Sequence, residues 1–125
     1  MRGYSTTVVA EALGIERRRL DKLVAYDVVD GVRRERQGVS RAFSPASVVT
    51  IAVAIELMTH LDVAGPRAVA VAHALIANGG ECSAGDGTTL SVDVRTVERR
   101  IAERLADAVA THPPPRRGRP PASHR

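Results

Sequence analysis

The apolar residues near the amino terminus recur at helical spacing in two consecutive segments. In the first segment they are Val8, Val9, Ala12 and Leu13. Gly14 interrupts this pattern, and in the second segment Leu20, Leu23 and Val24 fall on one side of a helix. The pattern predicts two short amphipathic helices joined by a turn at the glycine, with Ser5 or Thr6 capping the first and residues 17–26 forming the second. Residues 1–4 read as a short lead-in.

The opposite side of the second helix is mainly basic. It carries Arg18, Asp21, Lys22 and Ala25, with Arg17 and Arg19 on its flanks. Two short helices around a glycine form the helix-turn-helix arrangement, whose second helix can lie in the major groove of DNA. Arginine can contact guanine there and a carboxylate can accept from cytosine. Arg18, Asp21 and Lys22 are therefore the candidate base-reading residues, and Arg17 and Arg19 are candidate phosphate contacts.

Turn signals bracket the next segment, residues 28–43. Asp30-Gly31 and Gln37-Gly38 flank short runs rich in valine and arginine, which predicts a small β-hairpin. Phe43 is expected to pack on the second helix. The hairpin arginines are candidate phosphate contacts: Arg33, Arg34, Arg36 and Arg41. A charged hairpin that is simply solvated is the alternative interpretation.

Ser44 and Pro45 then have the residue types that cap and open a third helix. The order of these parts resembles the MerR-type winged helix-turn-helix family, including its short single-domain and excisionase-like relatives. The resemblance covers about residues 5–78 and rests on Leu13, Gly14 and Ile15 at the turn, an arginine-rich second helix, Gly38, Arg41, Phe43 and Ser44 at the end of the hairpin, and Val48. It implies a DNA-binding domain over residues 1–78 with a wing at residues 32–43. The chain departs from the family at Lys22, Leu23 and Val24, where a pair of tyrosines and a glutamate are usual.

The third helix, about residues 45–61, is apolar around most of its circumference and is therefore expected to be buried on more than one side. Pro66 opens a fourth helix, which Asn78, Gly79 and Gly80 end. The small residues of 79–88 predict a flexible linker. The expected fold class is mainly α.

Residues 89–110 predict a strand followed by an amphipathic helix. Apolar and polar residues alternate over 89–94, so this strand is expected to join the wing sheet or pair with another subunit. The apolar row of the helix consists of Val97, Ile101, Leu105 and Val109. MerR-like proteins dimerise through a helix that follows the DNA-binding module, which implies that this row is a dimerisation surface. The alternative is that the helix folds back on its own domain.

Proline, arginine and glycine dominate residues 111–125, a composition typical of a disordered basic tail. Its Arg117, Gly118, Arg119 and Pro120 resemble the core of an AT-hook, a motif that enters the minor groove of A·T-rich DNA. The alternative is a tail that contacts phosphates without sequence preference.

The net charge of +4 and a pI near 10.2 favour a polyanionic partner. A single cysteine, Cys82, excludes an intrachain disulfide and fits a reducing cytoplasm. Together with His60 and His73 it would make a poor metal site, so no metal or cofactor is predicted. The chain has no transmembrane pattern, which predicts no membrane partner, and it carries no recognised catalytic motif, which predicts that it is not an enzyme.

The sequence thus predicts a homodimeric, cytoplasmic and nucleoid-associated protein that binds double-stranded DNA sequence-specifically. It would regulate transcription, as a repressor in preference to an activator, and could contact the transcription machinery. Two alternatives stay open. One is an excisionase-like factor that bends DNA, and the other is an adaptor whose basic face binds an acidic protein.

Overall fold

The computed structural model describes residues 3–26, 32–33 and 41–112. Within these ranges the helices are α1 (Thr6–Leu13), α2 (Arg17–Tyr26), α3 (Pro45–Leu61), α4 (Gly65–Ala77) and α5 (Val94–Thr111). The strands form two antiparallel pairs: β1 (Val32–Arg33) with β2 (Ala42–Phe43), and β3 (Glu81–Gly85) with β4 (Thr88–Ser91). The mainly α fold predicted from the sequence is confirmed.

Serine residues cap the N-termini of α1 and α3. The Oγ of Ser5 accepts a hydrogen bond from the backbone N–H of Val8 at 3.2 Å, and the Oγ of Ser44 accepts one from Ser47 at 3.1 Å. Each bond satisfies one of the N–H groups that a helix start leaves without an internal partner. Both serines are among the capping residues that the sequence predicts.

The turn between α1 and α2 is built on a left-handed glycine. Gly14 has φ 70°, its N–H donates to the carbonyl of Glu11, and the N–H of Ile15 donates to the carbonyl of Ala10, both at 3.1 Å. This is the Schellman arrangement, which ends a helix and redirects the chain within two residues. It brings α2 back against α1.

The segment before α1 is part of the first sheet. Val32 pairs with Phe43 on one side, and Tyr4 pairs with Phe43 on the other through two backbone hydrogen bonds of 2.8 and 2.9 Å. Gly3 fits because a Cβ atom there would lie 2.6 Å from the Cβ of Ala42. Residues 1–4 were expected to be only a lead-in, whereas Tyr4 fastens the amino terminus to the base of the hairpin.

The core is centred on α3, which packs against both α4 and α5. Residues 47–54 are all buried, so this helix is surrounded, as its apolar circumference predicted. α1 packs against α2 and α5, and α2 also contacts α4. No helix of the described residues combines the length and apolarity needed to cross a membrane.

The flexible linker predicted for residues 79–88 is wrong. Gly79 and Gly80 end α4, but the chain then enters β3, turns at Asp86-Gly87 and returns as β4. β4 pairs with β3, and not with the wing sheet. The physical reason is the Asp-Gly pair between short strands, a hairpin signal that the surrounding glycines obscured.

The structure agrees with the fold-back alternative for α5 and not with the dimerisation surface. Val97, Ile101 and Leu105 are buried against their own chain, where α5 packs on α1 and α3, and Val109 is half-buried. An apolar row on a helix can pack on its own chain or on a second copy equally well, and the sequence does not distinguish the two. In this structure the row packs on α1 and α3 of its own chain. Homodimerisation stays a prediction, without these residues as its surface.

Candidate nucleic-acid interface

The buried side of α2 determines which residues this helix presents to solvent. Leu20 and Leu23 are 0% and 1% exposed, and Val24 is half-buried. The opposite side forms what we term the α2 cationic face, which consists of the exposed residues Arg17, Arg18, Arg19 and Lys22. Arg18 and Lys22 are four residues apart, so they lie one helical turn apart on the same side. None of the four forms an ion pair with a carboxylate of the described residues.

α2 has dimensions that suit the major groove. An α-helix with its side chains is about 10–12 Å across, and the major groove of B-form DNA is about 12 Å wide, so the ten residues of α2 can lie in it. α1 and α4 pack on its inner side, and this packing turns the cationic face outward.

Asp21 and Arg41 form an ion pair between α2 and the residue that precedes β2. The Nη1 atom of Arg41 lies 2.8 Å from Oδ1 of Asp21, and the two side chains are 25% and 47% exposed. The sequence predicted separate DNA contacts for these two residues, one to a base and one to a phosphate. The structure brings them together, a pairing across 20 positions that no local sequence signal indicates.

The remaining predicted contacts are only partly described. The backbone of Arg33 pairs with Ala42 at the base of the hairpin. Phe43 is completely buried, and its strand packs along α1. Six predicted site residues lie outside the described residues: Arg34, Arg36, Arg117, Gly118, Arg119 and Pro120.

Other chemistry in the described part of the chain is sparse. A half-open cleft of about 110 Å³ lies among α1, α3 and α5 and includes Leu13, Glu56 and Arg100 in its lining. The Nε2 atom of His73 is buried without a hydrogen-bond partner among the described residues. These residues contain no group of three or more histidine, cysteine, aspartate or glutamate side chains that could hold a metal ion.

Comparison with known proteins adds no relative. The chain matches no protein-family model, no curated protein and no solved structure. Any function must therefore be inferred from the residues and geometry of this chain.

Proposed function

We propose that the protein binds duplex DNA sequence-specifically as a winged helix-turn-helix protein and regulates transcription. In this proposal α1 and α2 are the helix-turn-helix, and β1 and β2 are the base of the wing. The observation that carries the proposal is the α2 cationic face, which four exposed basic side chains form on a helix whose other side is buried. The resemblance of residues 5–78 to MerR-type proteins agrees with it.

The roles of the basic residues follow from their positions on α2. Arg18 and Lys22 lie farthest from the buried leucines, so they are the candidates for reading base edges in the groove. Arg17 and Arg19 lie on the flanks of the same face, where the phosphate backbones would pass. Such phosphate contacts supply affinity for any sequence, whereas a guanidinium on guanine adds preference for one base pair.

We further propose that the protein represses by occupying its site, because one small DNA-binding unit can block access without recruiting another protein. A homodimer would place two α2 helices in successive major grooves and would select an inverted repeat. Since α5 is used internally, the contact between copies would have to come from another surface.

Selection of binding sites from random DNA at physiological salt tests the proposal. We expect the wild-type protein to enrich one sequence, and Arg18→Ala to relax preference at one base pair by about 5- to 150-fold, the equivalent of about 1–3 kcal/mol. Arg99→Ala is the matched control, since Arg99 is an exposed arginine on α5 and its loss removes the same charge. This control should bind slightly more weakly but keep the preference.

Each outcome of the selection has a distinct meaning. An inverted repeat supports a dimeric regulator, and direct repeats that the protein bends would support the excisionase-like alternative. Equal losses on selected and random DNA for Arg18→Ala and Arg99→Ala would refute base reading by α2. DNA affinity that no substitution on the α2 cationic face changes would favour an acidic protein partner instead.

A further inference from the structure

The Asp21–Arg41 ion pair has a position that the proposed DNA contacts do not explain by themselves. It joins α2 to the residue just before β2. Arg41 is the more buried partner, with 25% of its side chain exposed. Among the described residues, the carboxylate of Asp21 is the hydrogen-bond partner that orients this guanidinium.

We propose that Asp21 is a positioning residue that holds Arg41 ready for a DNA phosphate, and that it does not read a base. The proposal rests on the DNA-binding function proposed above and assigns a role within the same site. One N–H of Arg41 is used at Nη1, which leaves further N–H donors of the guanidinium free for phosphate oxygens. A side chain that is already ordered loses less conformational entropy when it binds.

The position of Asp21 on the helix supports this assignment. At about 100° per residue, Asp21 lies about 105° from the middle of the apolar side of α2, whereas Arg18 and Lys22 lie about 155–165° from it. Asp21 is therefore at the side of the exposed face, toward Arg41, and not at its centre. Oδ1 of Asp21 already accepts from Arg41 at 2.8 Å, so a contact to cytosine would have to come from Oδ2 alone.

The ion pair also reduces the repulsion between the carboxylate of Asp21 and the DNA phosphates. An unpaired carboxylate beside DNA repels phosphate, and the guanidinium of Arg41 compensates that charge in the structure. Removal of Arg41 would thus cost one phosphate contact and expose a negative charge. Removal of Asp21 should be harmful while Arg41 is present and beneficial when Arg41 is absent.

A double-mutant cycle on DNA affinity tests this reversal of sign. The four proteins are wild type, Asp21→Ala, Arg41→Ala and the double variant, measured on the selected site and on random DNA between about 50 and 200 mM salt. Affinity falls as the salt concentration rises over this range, and we expect the factor of this fall to be about threefold smaller for Arg41→Ala than for the wild type, because one phosphate contact is lost. Asp21→Ala should weaken binding without changing base preference, and the double variant should bind more tightly than Arg41→Ala.

Two further variants keep the result interpretable. Asp21→Asn retains an oxygen that can accept from Arg41 and should keep most of the affinity that Asp21→Ala loses. Glu16→Ala removes another exposed carboxylate just before α2 and should change affinity by the same factor whether or not Arg41 is present.

Three results would overturn the inference while leaving DNA binding intact. A change of preference at one base pair in Asp21→Ala would make Asp21 a base reader. Tighter binding by Asp21→Ala with Arg41 in place, or the same factor in both backgrounds, would reduce its role to a general negative charge. Absence of any sequence preference in the wild-type protein would instead refute the proposed function itself.

Discussion

Replacement of Leu105 by alanine should destabilise the protein strongly, because this side chain fastens α5 to its own chain. Leu105 is 4% exposed and lies on the face of α5 that packs against α1 and α3. Truncation of a buried leucine loses its transfer free energy and leaves a cavity, for about 2–5 kcal/mol in total. We expect about 3–4 kcal/mol for Leu105→Ala, a large part of the about 5–15 kcal/mol that stabilises a typical domain.

Ile101 offers an internal comparison on the same face. It is 1% exposed but lines the half-open cleft of about 110 Å³, so the space left by Ile101→Ala would open to water. The cavity contribution is then smaller, and we expect about 2 kcal/mol, near the lower limit for such truncations. The difference between the two variants follows from the position of the cleft, since both residues are buried to a similar degree.

Urea unfolding followed by far-ultraviolet circular dichroism measures these losses, and it suits a chain without tryptophan. Arg99→Ala, on the exposed side of the same helix, is the control and should cost less than about 0.5 kcal/mol. The measurements should be made at two protein concentrations, because a helix that packed on a second copy would make stability depend on concentration. The internal packing of α5 would be refuted if Leu105→Ala lost no more stability than Arg99→Ala and also abolished a concentration dependence of stability seen in the wild-type protein.

Other features of the fold give further expectations. Gly14→Ala should cost about 1–2 kcal/mol in urea unfolding through its left-handed backbone alone, since the added Cβ would meet no atom within 4 Å outside the adjoining residues. Gly80→Ala should cost more in the same assay, because its φ is also positive and its Cβ would lie 2.5 Å from the carbonyl oxygen of Val92; equal losses would contradict this steric argument. Hydrogen bonds from the hydroxyl and the backbone N–H of Thr96 lower the pKa of Asp93 below its ordinary value of 3.8. This stabilisation is present above that ordinary value and is lost as the pH falls through the lower pKa of the folded state. Asp93→Asn should therefore remove this part of the acid dependence of thermal unfolding, and an unchanged acid profile would contradict the assignment.

The features that sequence analysis predicted well are those with local causes. A serine before an apolar periodic run caps a helix through a bond that spans three residues, as Ser5 and Ser44 do. The outward face of α2 also followed from periodicity, because the spacing of Leu20 and Leu23 alone determines which side is buried. Asp86-Gly87 was an equally local signal, and it was overlooked only because the neighbouring glycines suggested a linker.

The features that could not be predicted join distant parts of the chain. Tyr4 pairs with Phe43 through backbone hydrogen bonds. Every residue except proline has these backbone groups, so the side chains in the sequence do not indicate the pairing. Asp21 and Arg41 were each assigned to DNA, since a single sequence does not reveal that two charges 20 positions apart neutralise each other. The candidate site therefore keeps its predicted basic residues on α2, and the Asp21–Arg41 ion pair is the part that the sequence does not indicate.

The packing of α5 also bears on where the proposed DNA-binding unit ends. The resemblance ends near residue 78, yet α1 lies between α2 and α5, and Nε2 of His112 is 2.6 Å from Oε1 of Glu11 on α1. A protein truncated after residue 78 would expose the sides of α1 and α3 that α5 covers. Since α1 and its turn support α2, the orientation of the α2 cationic face depends on residues up to 112. In the proposed function, the part of the chain that would present this face to DNA is therefore longer than the segment that resembles a DNA-binding domain.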